Sequence, residues 1–374
     1  MIYLHIPFCR QKCSYCNFHF STSLNLKEEM LRAMCKEIRL RHHELQERTI
    51  TSLYLGGGTP SLLSGDDVRM LMDEVGRFFD FDRNIEITLE ANPDDLDEKF
   101  LKEISSAGIN RLSVGVQSFS DADLKLMNRA HTATEAENSV KRAQDKGIEN
   151  ISIDLIYGSP VSDFSFWKES LQKTIELQVP HVSSYALTVE PKTALEAWIR
   201  KNRIAAPQEN TQNREFYYMS GFLKQQGFEH YEISNFGKPG FHSRHNSAYW
   251  QYMPYLGIGP SAHSYNGSNI RSWNIASNPK YIRSLEEDQL PSEQEFLTEE
   301  DRYNEMLMIG LRTTKGADLE RMKQQFSATM MERLYHDIRH EMEQGRLVIE
   351  NGFLKIPGQH WFFADGIAAG LFVL

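Results

Sequence analysis

FCRQKCSYCNFHF, Phe8 to Phe20, holds three of the chain's four cysteines: Cys9, Cys13 and Cys16. It follows directly on IYLHI, residues 2–6, which reads as a strand. Thiols at C-x3-C-x2-C spacing, in a loop leaving a strand, can wrap around one compact group. Iron–sulfur clusters are held by closely spaced cysteine thiolates. Zinc is the rival, with His5 or His19 completing a Cys3His set, and a bare thiol loop is the third reading. Three thiols on a four-iron cluster leave one iron open to a small molecule, so the absence of a fourth cysteine itself carries information.

Outward from this loop, strand-like runs alternate with amphipathic segments. The strands read as 2–6, 51–55, 84–90, 110–116, 149–155 and 181–187, and the helical segments as 27–47, 66–79, 97–106, 120–145 and 165–178. Repeated strand-then-helix units imply a parallel sheet covered by helices. Six units are too few for an eight-unit barrel, so a partial barrel and a doubly wound sheet both stand. Right-handed crossovers place all strand C-terminal ends on one face, where barrel sites sit. The sequence delivers chemistry there: the cysteines, then GGGTP (Gly56 to Pro60), Glu90, Gln117, Asp154, and the Tyr185–Ala186 end. Glycines let a backbone approach a ligand closely. A carboxylate in the apolar run ISIDLIYG is costly to bury without a partner. Arg129 in MNRAH can pair with a ligand carboxylate or a neighbouring acid. Cys35 is different, since Leu31, Met34, Cys35 and Ile38 form one apolar helical face, which makes it core.

Length and composition bound the rest. A chain of 374 residues exceeds the span over which one core keeps growing. The reading is three regions: 1–235, the sheet unit; 236–290, a Gly- and aromatic-rich connector containing RHNSAYW and GIGPSAHS; and 291–374, helical. In the last, helices at 298–312, 317–327 and 329–343 precede a hairpin turning at Asn351–Gly352, a winged-helix-like pattern or a plain helical cap. No window is apolar enough for a membrane span, and no leader precedes the first strand. With too few cysteines for a disulfide framework, this points to a reducing cytoplasm and no stable membrane insertion. A formal charge of −10 argues against nucleic acid as the main partner. In RHNSAYW, Asn246 could cap a helix. His245 is either a satisfied structural histidine or a haem ligand flanked by Tyr249 and Trp250, with Arg244 near a propionate.

CRQKCSYC, GGGTPS, EANP, GVQSF, MNRAH, DLIYG, HNSAYW, GIGPSAHS and FFADGIAAGLF together resemble the radical S-adenosylmethionine proteins of the coproporphyrinogen dehydrogenase family. Within it the chain is most similar to the haem-chaperone branch. The oxidative decarboxylases carry a further cysteine where Phe18 stands here, and an extension before the first strand, while HN-x2-YW belongs to the chaperone side. The resemblance implies an α/β fold: a partial (β/α)6 barrel with a smaller C-terminal helical, winged-helix-like domain. It implies a [4Fe-4S] cluster on Cys9, Cys13 and Cys16, and S-adenosylmethionine on its open iron. Positions implied for that cosubstrate are Tyr3, Tyr15, Gly57, Gly58, Thr59, Glu90, Gln117, Arg129, Asp154 and Ala186. It further implies haem, with His245 in its site or the haem elsewhere near His263, a haem-acceptor protein, and an electron donor such as flavodoxin or ferredoxin. The alternative function is an oxygen-independent coproporphyrinogen III dehydrogenase that decarboxylates propionates.

Overall fold

Alternation along each strand sorts its side chains between two environments, because successive residues face opposite sides of a sheet. In β1 (Ile2–Ile6), Ile2, Leu4 and Ile6 are core, and Tyr3 and His5 face the other way. β2 (Thr49–Gly57) opposes Leu53 and Leu55 to Ser52 and Tyr54. β3 (Asp80–Ala91) opposes Ile87 and Leu89 to Glu86, Thr88 and Glu90. β4 (Arg111–Gln117), β5 (Ile151–Tyr157) and β6 (His181–Ala186) repeat the scheme, with Arg111, Ser113, Ser152, Asp154, His181 and Ser183 on the polar side. The apolar side is covered by α1 (Lys27–Arg41), α2 (Gly65–Gly76), α3 (Glu98–Ser106), α5 (Ala133–Asp145) and α6 (Phe164–Glu176), while Leu126 of α4 (Asp121–Leu126) packs on a separate small cluster. The inner face is therefore polar, unlike the apolar filling of a closed eight-strand barrel.

The computed structural model describes residues 1–373. Strands β1 to β6 lie in sequence order and are all parallel. That order is the winding of a barrel, whereas a doubly wound sheet reverses direction midway. The partial barrel expected from the sequence is the one found. No β1–β6 pairing closes it among the described residues. Instead β8 (Asn235–Gly237) adds antiparallel to β6 with β7 (Glu229–Glu232) outside it, and β9 (Leu256–Ile258) adds parallel to β1. A second sheet, β10 (His263–Tyr265), β11 (Ile270–Asn274) and β12 (Ser292–Phe296), follows. The C-terminal part contains α11 (Glu299–Leu311), α12 (Leu319–Gln325), α13 (Ala328–Glu343) and α14 (Ala364–Ala369), with a small sheet of β13 (Ala317–Asp318), β14 (Val348–Glu350) and β15 (Phe353–Lys355). Its hairpin turns at Asn351 and Gly352, both at positive φ, as read from the sequence.

Three local readings are corrected. Segment 120–145 is two helices: Asn128 turns left-handed after α4, and a Thr132–Glu135 capping box starts α5 afresh. α1 ends at Arg41, short of residue 47, in a 3-10 turn at His42–Glu44. The helix α9 (Arg244–Trp250) is capped by Ser243, whose hydroxyl accepts from Asn246 N–H, so Asn246 is inside it. The sequence reading also passed over α7 (Ala194–Arg200), α8 (Glu209–Gln225) and α10 (Asn278–Glu286).

A buried ion pair ties the outer layer to the GIGPSAHS turn. Glu37 and Arg41, four residues apart on α1, are fully enclosed, with Arg41 Nη1 2.7 Å from Glu37 Oε1. Glu37 also accepts from Gly259 N–H at 2.8 Å, Asn274 Nδ2 at 2.7 Å and the Tyr281 hydroxyl. Arg41 donates to the Gly257 carbonyl at 3.1 Å. Removing one member strands the others' charge and donors, which costs about 3–5 kcal/mol. Glu37→Ala is expected to lower stability by about that amount in denaturant titration, without altering the six-stranded core sheet. A loss under about 1 kcal/mol would show that the network is incidental.

Candidate functional site: the cysteine end of the barrel

The cysteine loop is pinned across the sheet to the break between α4 and α5. Ser14 N–H and Oγ donate to the carbonyls of Met127 and Leu126, at 3.1 and 2.8 Å. Gln11 donates to the Asn128 carbonyl and Asn128 to that of Lys12, each at 2.7 Å. At its base, Cys9 N–H reaches the Ser21 carbonyl at 3.0 Å and Ser21 N–H the Pro7 carbonyl at 2.9 Å. So held, Cys9, Cys13 and Cys16 are free and partly exposed, while Cys35 is buried in the core. The helix break missed in the sequence is what delivers Arg129. Its Nη1 donates to Cys13 Sγ at 3.3 Å, and its Nη2 to Asn92 Oδ1 at 2.6 Å and the Gly115 carbonyl at 2.8 Å. Thr59 Oγ1 donates to Cys9 Sγ at 3.3 Å.

GGGTP lies against the strand that feeds this loop. Gly58 N–H donates to the Ile6 carbonyl at 2.9 Å, and a Cβ on Gly58 would stand 2.5 Å from the Phe8 carbonyl oxygen. Gly57 has φ +104°, and its Cβ would meet the His5 ring at 2.6 Å. Both positions require glycine for close packing as well as for any ligand.

Beneath the thiols lie two carboxylates. Glu90 accepts from the Tyr54 hydroxyl at 2.8 Å and from Gly57 N–H at 3.0 Å. Burial pushes it up to about 7, helped by the Asp154 charge and opposed by its two donors. Asp154 accepts from Ser113 Oγ at 3.0 Å, and burial pushes it up to about 6. Two buried carboxylates with raised pKa values favour a cationic partner.

The remaining expected residues fall into two groups. Tyr3 lines the inner face, its hydroxyl 3.3 Å from His5 Nδ1. Gln117 ends β4 at a register shift with φ +68°. Ala186 ends β6 opposite Tyr157, and Tyr15 packs on a small cluster of Met127, Ile156, Leu187 and Leu195. Gln117, Ala186 and Tyr15 join the cysteine end, whereas Tyr3, level with Tyr54 on β2, has its ring 6.4 Å from that of His245. His245 itself lies at the level of Ser52 and Glu86, lower on β2 and β3. Its Nδ1 is 3.0 Å from Ser52 Oγ, its Nε2 3.1 Å from the Tyr249 hydroxyl, and its ring 5.0 Å from that of Tyr54. The Glu86 carboxylate accepts the N–H groups of Arg244 and His245, each at 3.0 Å. Arg244 itself reaches the Asn84 carbonyl. Both nitrogens of His245 are thus taken by protein groups, and α9 is bound to the inner face away from the thiols. Tyr54, Asn92 and Ser113 were missed as site residues. Tyr54 and Ser113 show only once strands are aligned and their inward positions compared.

The donor set can be tested against a cluster. No three His, Cys, Asp or Glu side chains converge on a single-ion site among the described residues. A cluster asks for one thiolate per iron, so its ligands need not meet at one point. Burial pushes the Cys9 thiol up to about 11, so ionising it needs positive charge nearby. Arg129 and bound iron are the sources that fit.

The comparisons agree with this geometry. Residues 3–172 match the family model of the radical SAM superfamily, and 297–363 that of the HemN C-terminal domain. The fold and cysteine loop define a radical SAM protein, a class that carries a [4Fe-4S] cluster and S-adenosylmethionine. Heme chaperone HemW of Lactococcus lactis subsp. lactis is 34% identical, covering 89% of this chain and 86% of its own. Heme chaperone HemW of Bacillus subtilis is also 34% identical, covering 88% and 87%. The chain belongs to the HemW family. A mitochondrial radical S-adenosyl methionine domain-containing protein 1 of Bos taurus is 31% identical, covering 99% of this chain and 86% of its own. Coproporphyrinogen III oxidase (HemN) from Escherichia coli shares the fold, with TM-score 0.85 over all of this chain and 89% of that one, at 22% identity.

The buried carboxylate sets a pH dependence. Glu90 has a raised pKa in the fold, so its contribution to stability is complete below about 4.5 and is lost as pH rises through about 7. In ligand-free protein, Glu90→Gln should gain on wild type by about 2 kcal/mol between pH 5 and pH 8, after allowance for partial exposure. Denaturant midpoints at the two pH values check this, and an unchanged gap would contradict the burial.

Proposed function

We propose that this chain binds haem and passes it to an acceptor protein, while holding a [4Fe-4S] cluster on Cys9, Cys13 and Cys16 with S-adenosylmethionine on the remaining iron. The observation that carries this is the joint one of a third identity to relatives named heme chaperones, across nine-tenths of the chain, and three free thiols set over buried carboxylates. The bound cofactor pair, once reduced, supplies one-electron cleavage of the sulfonium. The chain's own part is to bind and orient. Gly57, Gly58 and Thr59 offer backbone and hydroxyl at the cluster's edge. Glu90 and Asp154 face the cosubstrate's positive charges, with Tyr54 and Ser113 fixing them. Arg129, held on Cys13 and Asn92, would supply the positive charge for the cosubstrate's carboxylate. Tyr3, Tyr15, Gln117 and Ala186 complete the wall and exclude water. A flavodoxin- or ferredoxin-type donor supplies the electron. No helix is long and apolar enough to cross a membrane among the described residues, and the proposed place of action is the cytoplasm.

The other reading, coproporphyrinogen III dehydrogenase, shares the fold. Against it stands Phe18, where the decarboxylases have a further cysteine; its side chain is 69% exposed just past Cys16. The test is anaerobic protein given coproporphyrinogen III, S-adenosylmethionine and reductant. About four irons per chain and no protoporphyrinogen IX are expected, even with slow cosubstrate cleavage. Repeated turnover to the decarboxylated product would establish the enzyme reading, and stoichiometric zinc without iron would remove the cluster.

A further inference from the structure

We infer that Asn92 is a positioning residue of the cysteine centre. Through Thr59 and Arg129 it aims one hydrogen-bond donor at the sulfur of Cys9 and another at that of Cys13, and the two together raise the reduction potential of the cluster those sulfurs hold. This rests on the cluster reading above and adds to it the device that sets how readily the cluster takes its electron.

The first argument is the direction of the hydrogen bonds. A guanidinium only donates. Arg129 Nη2 stands 2.6 Å from the Asn92 side chain, so the atom it meets is the amide oxygen, Oδ1. The amide nitrogen is thereby turned to Thr59, with Nδ2 3.4 Å from Thr59 Oγ1. An amide N–H also only donates, so the Thr59 hydroxyl accepts there, and its single proton goes elsewhere. It points at Cys9 Sγ, 3.3 Å away. The other terminal nitrogen of the same guanidinium, Nη1, donates to Cys13 Sγ, also at 3.3 Å. One donor-only group thus sets the polarity of a relay that runs from Arg129 through Asn92 and Thr59 to Cys9, and from Arg129 directly to Cys13.

The second argument is rigidity. Pro93 restricts the residue before it, and Asn92 is extended, with φ −83° and ψ 146°. Asn92 N–H donates to Ser61 Oγ at 3.2 Å, and the Ser61 hydroxyl donates to Asp95 Oδ2 at 2.7 Å. Asp95 Oδ1 lies 2.9 Å from Nη2 of Arg10, the neighbour of Cys9 in the loop. Thr59 is buried, and Arg129 is braced on the Gly115 carbonyl at 2.8 Å, where a Cβ would stand 3.3 Å from Nη2. The turn after β3 therefore fastens the cysteine loop, Thr59 and Arg129 at once. Donors held in this way are in place before charge arrives and need no rearrangement.

The third argument is electrostatic. Reduction adds one electron from the flavodoxin- or ferredoxin-type donor, and it makes or breaks no bond. The cluster becomes one unit more negative, and hydrogen bonds to its ligand sulfurs stabilise that state more than the oxidised one. Losing a donor therefore lowers the potential. None of this requires S-adenosylmethionine, which separates the relay from the cosubstrate roles of Thr59 and Arg129.

The experiment is a redox titration of anaerobically reconstituted protein without S-adenosylmethionine, poised with dithionite and viologens and read by paramagnetic resonance of the reduced cluster. Wild type, Thr59→Val, Thr59→Ser, Asn92→Ala and the double variant are compared at equal iron content per chain. Thr59→Val keeps the shape and loses the proton, and it should make reduction about tenfold less favourable, a midpoint about 59 mV lower. Thr59→Ser should restore the wild-type midpoint. Asn92→Ala, which removes a side chain that hydrogen-bonds no cysteine, should shift the midpoint the same way. The double variant should fall short of the sum of the two shifts, because both act through one hydroxyl. Wild-type midpoints in both single variants at full iron content overturn the relay while leaving the cluster in place. Additive shifts overturn the positioning role of Asn92. A wild type that gives no four-iron signal overturns the cluster reading, and the relay with it.

Discussion

Everything at the site depends on keeping charge inside a sheet that is polar on its inner face. An unpaired buried charge costs several kcal/mol. Most inward charges therefore have a hydrogen-bond partner: Glu90 has Tyr54 and Gly57, Asp154 has Ser113, Glu86 has the N-terminus of α9, and Arg129 has Asn92, Gly115 and Cys13, while Arg111 has only the Glu86 carboxylate 4.0 Å away. A closed barrel would solve the problem by filling its lumen with Val, Ile and Leu. This one keeps acids there and leaves two of them with raised pKa values. A cationic ligand bound there would relieve that strain, which is the physical ground for proposing the cosubstrate site beside the cysteine loop.

The same constraint explains the HN-x2-YW segment. Ser243 and Glu86 satisfy the first N–H groups of α9, and His245 packs between Ser52, Tyr54 and Tyr249. The helix stoppers the lower part of the open barrel and holds the ring against which Tyr54 rests. Tyr54 in turn donates to Glu90. The motif is thus linked through Tyr54 to the buried Glu90 carboxylate.

The six parallel strands and the cysteine end were legible because period-two alternation and turn chemistry are local signals. The order of the strands was not: a partial barrel and a doubly wound sheet give the same pattern, and only pairing separates them. Arg129 could be picked out but not placed, since the helical period runs on across MNRAH and hides the left-handed Asn128 that turns the chain. β9 and β10 have three residues each, too short for any periodic signal, and β9 pairs with β1, far away in sequence. The setting of His245 was hidden for a related reason. Its hydrogen-bond partner Ser52 is 193 residues away, so nothing local shows that the ring is already satisfied.

The central claim is that three thiolates hold a cluster whose fourth iron is completed by S-adenosylmethionine over Glu90 and Asp154. Paramagnetic resonance of the dithionite-reduced, anaerobic protein tests it most directly. The account predicts a reduced four-iron signal whose shape changes on adding S-adenosylmethionine, with the change weakened in Glu90→Gln. A signal indifferent to S-adenosylmethionine in the wild-type protein would contradict it.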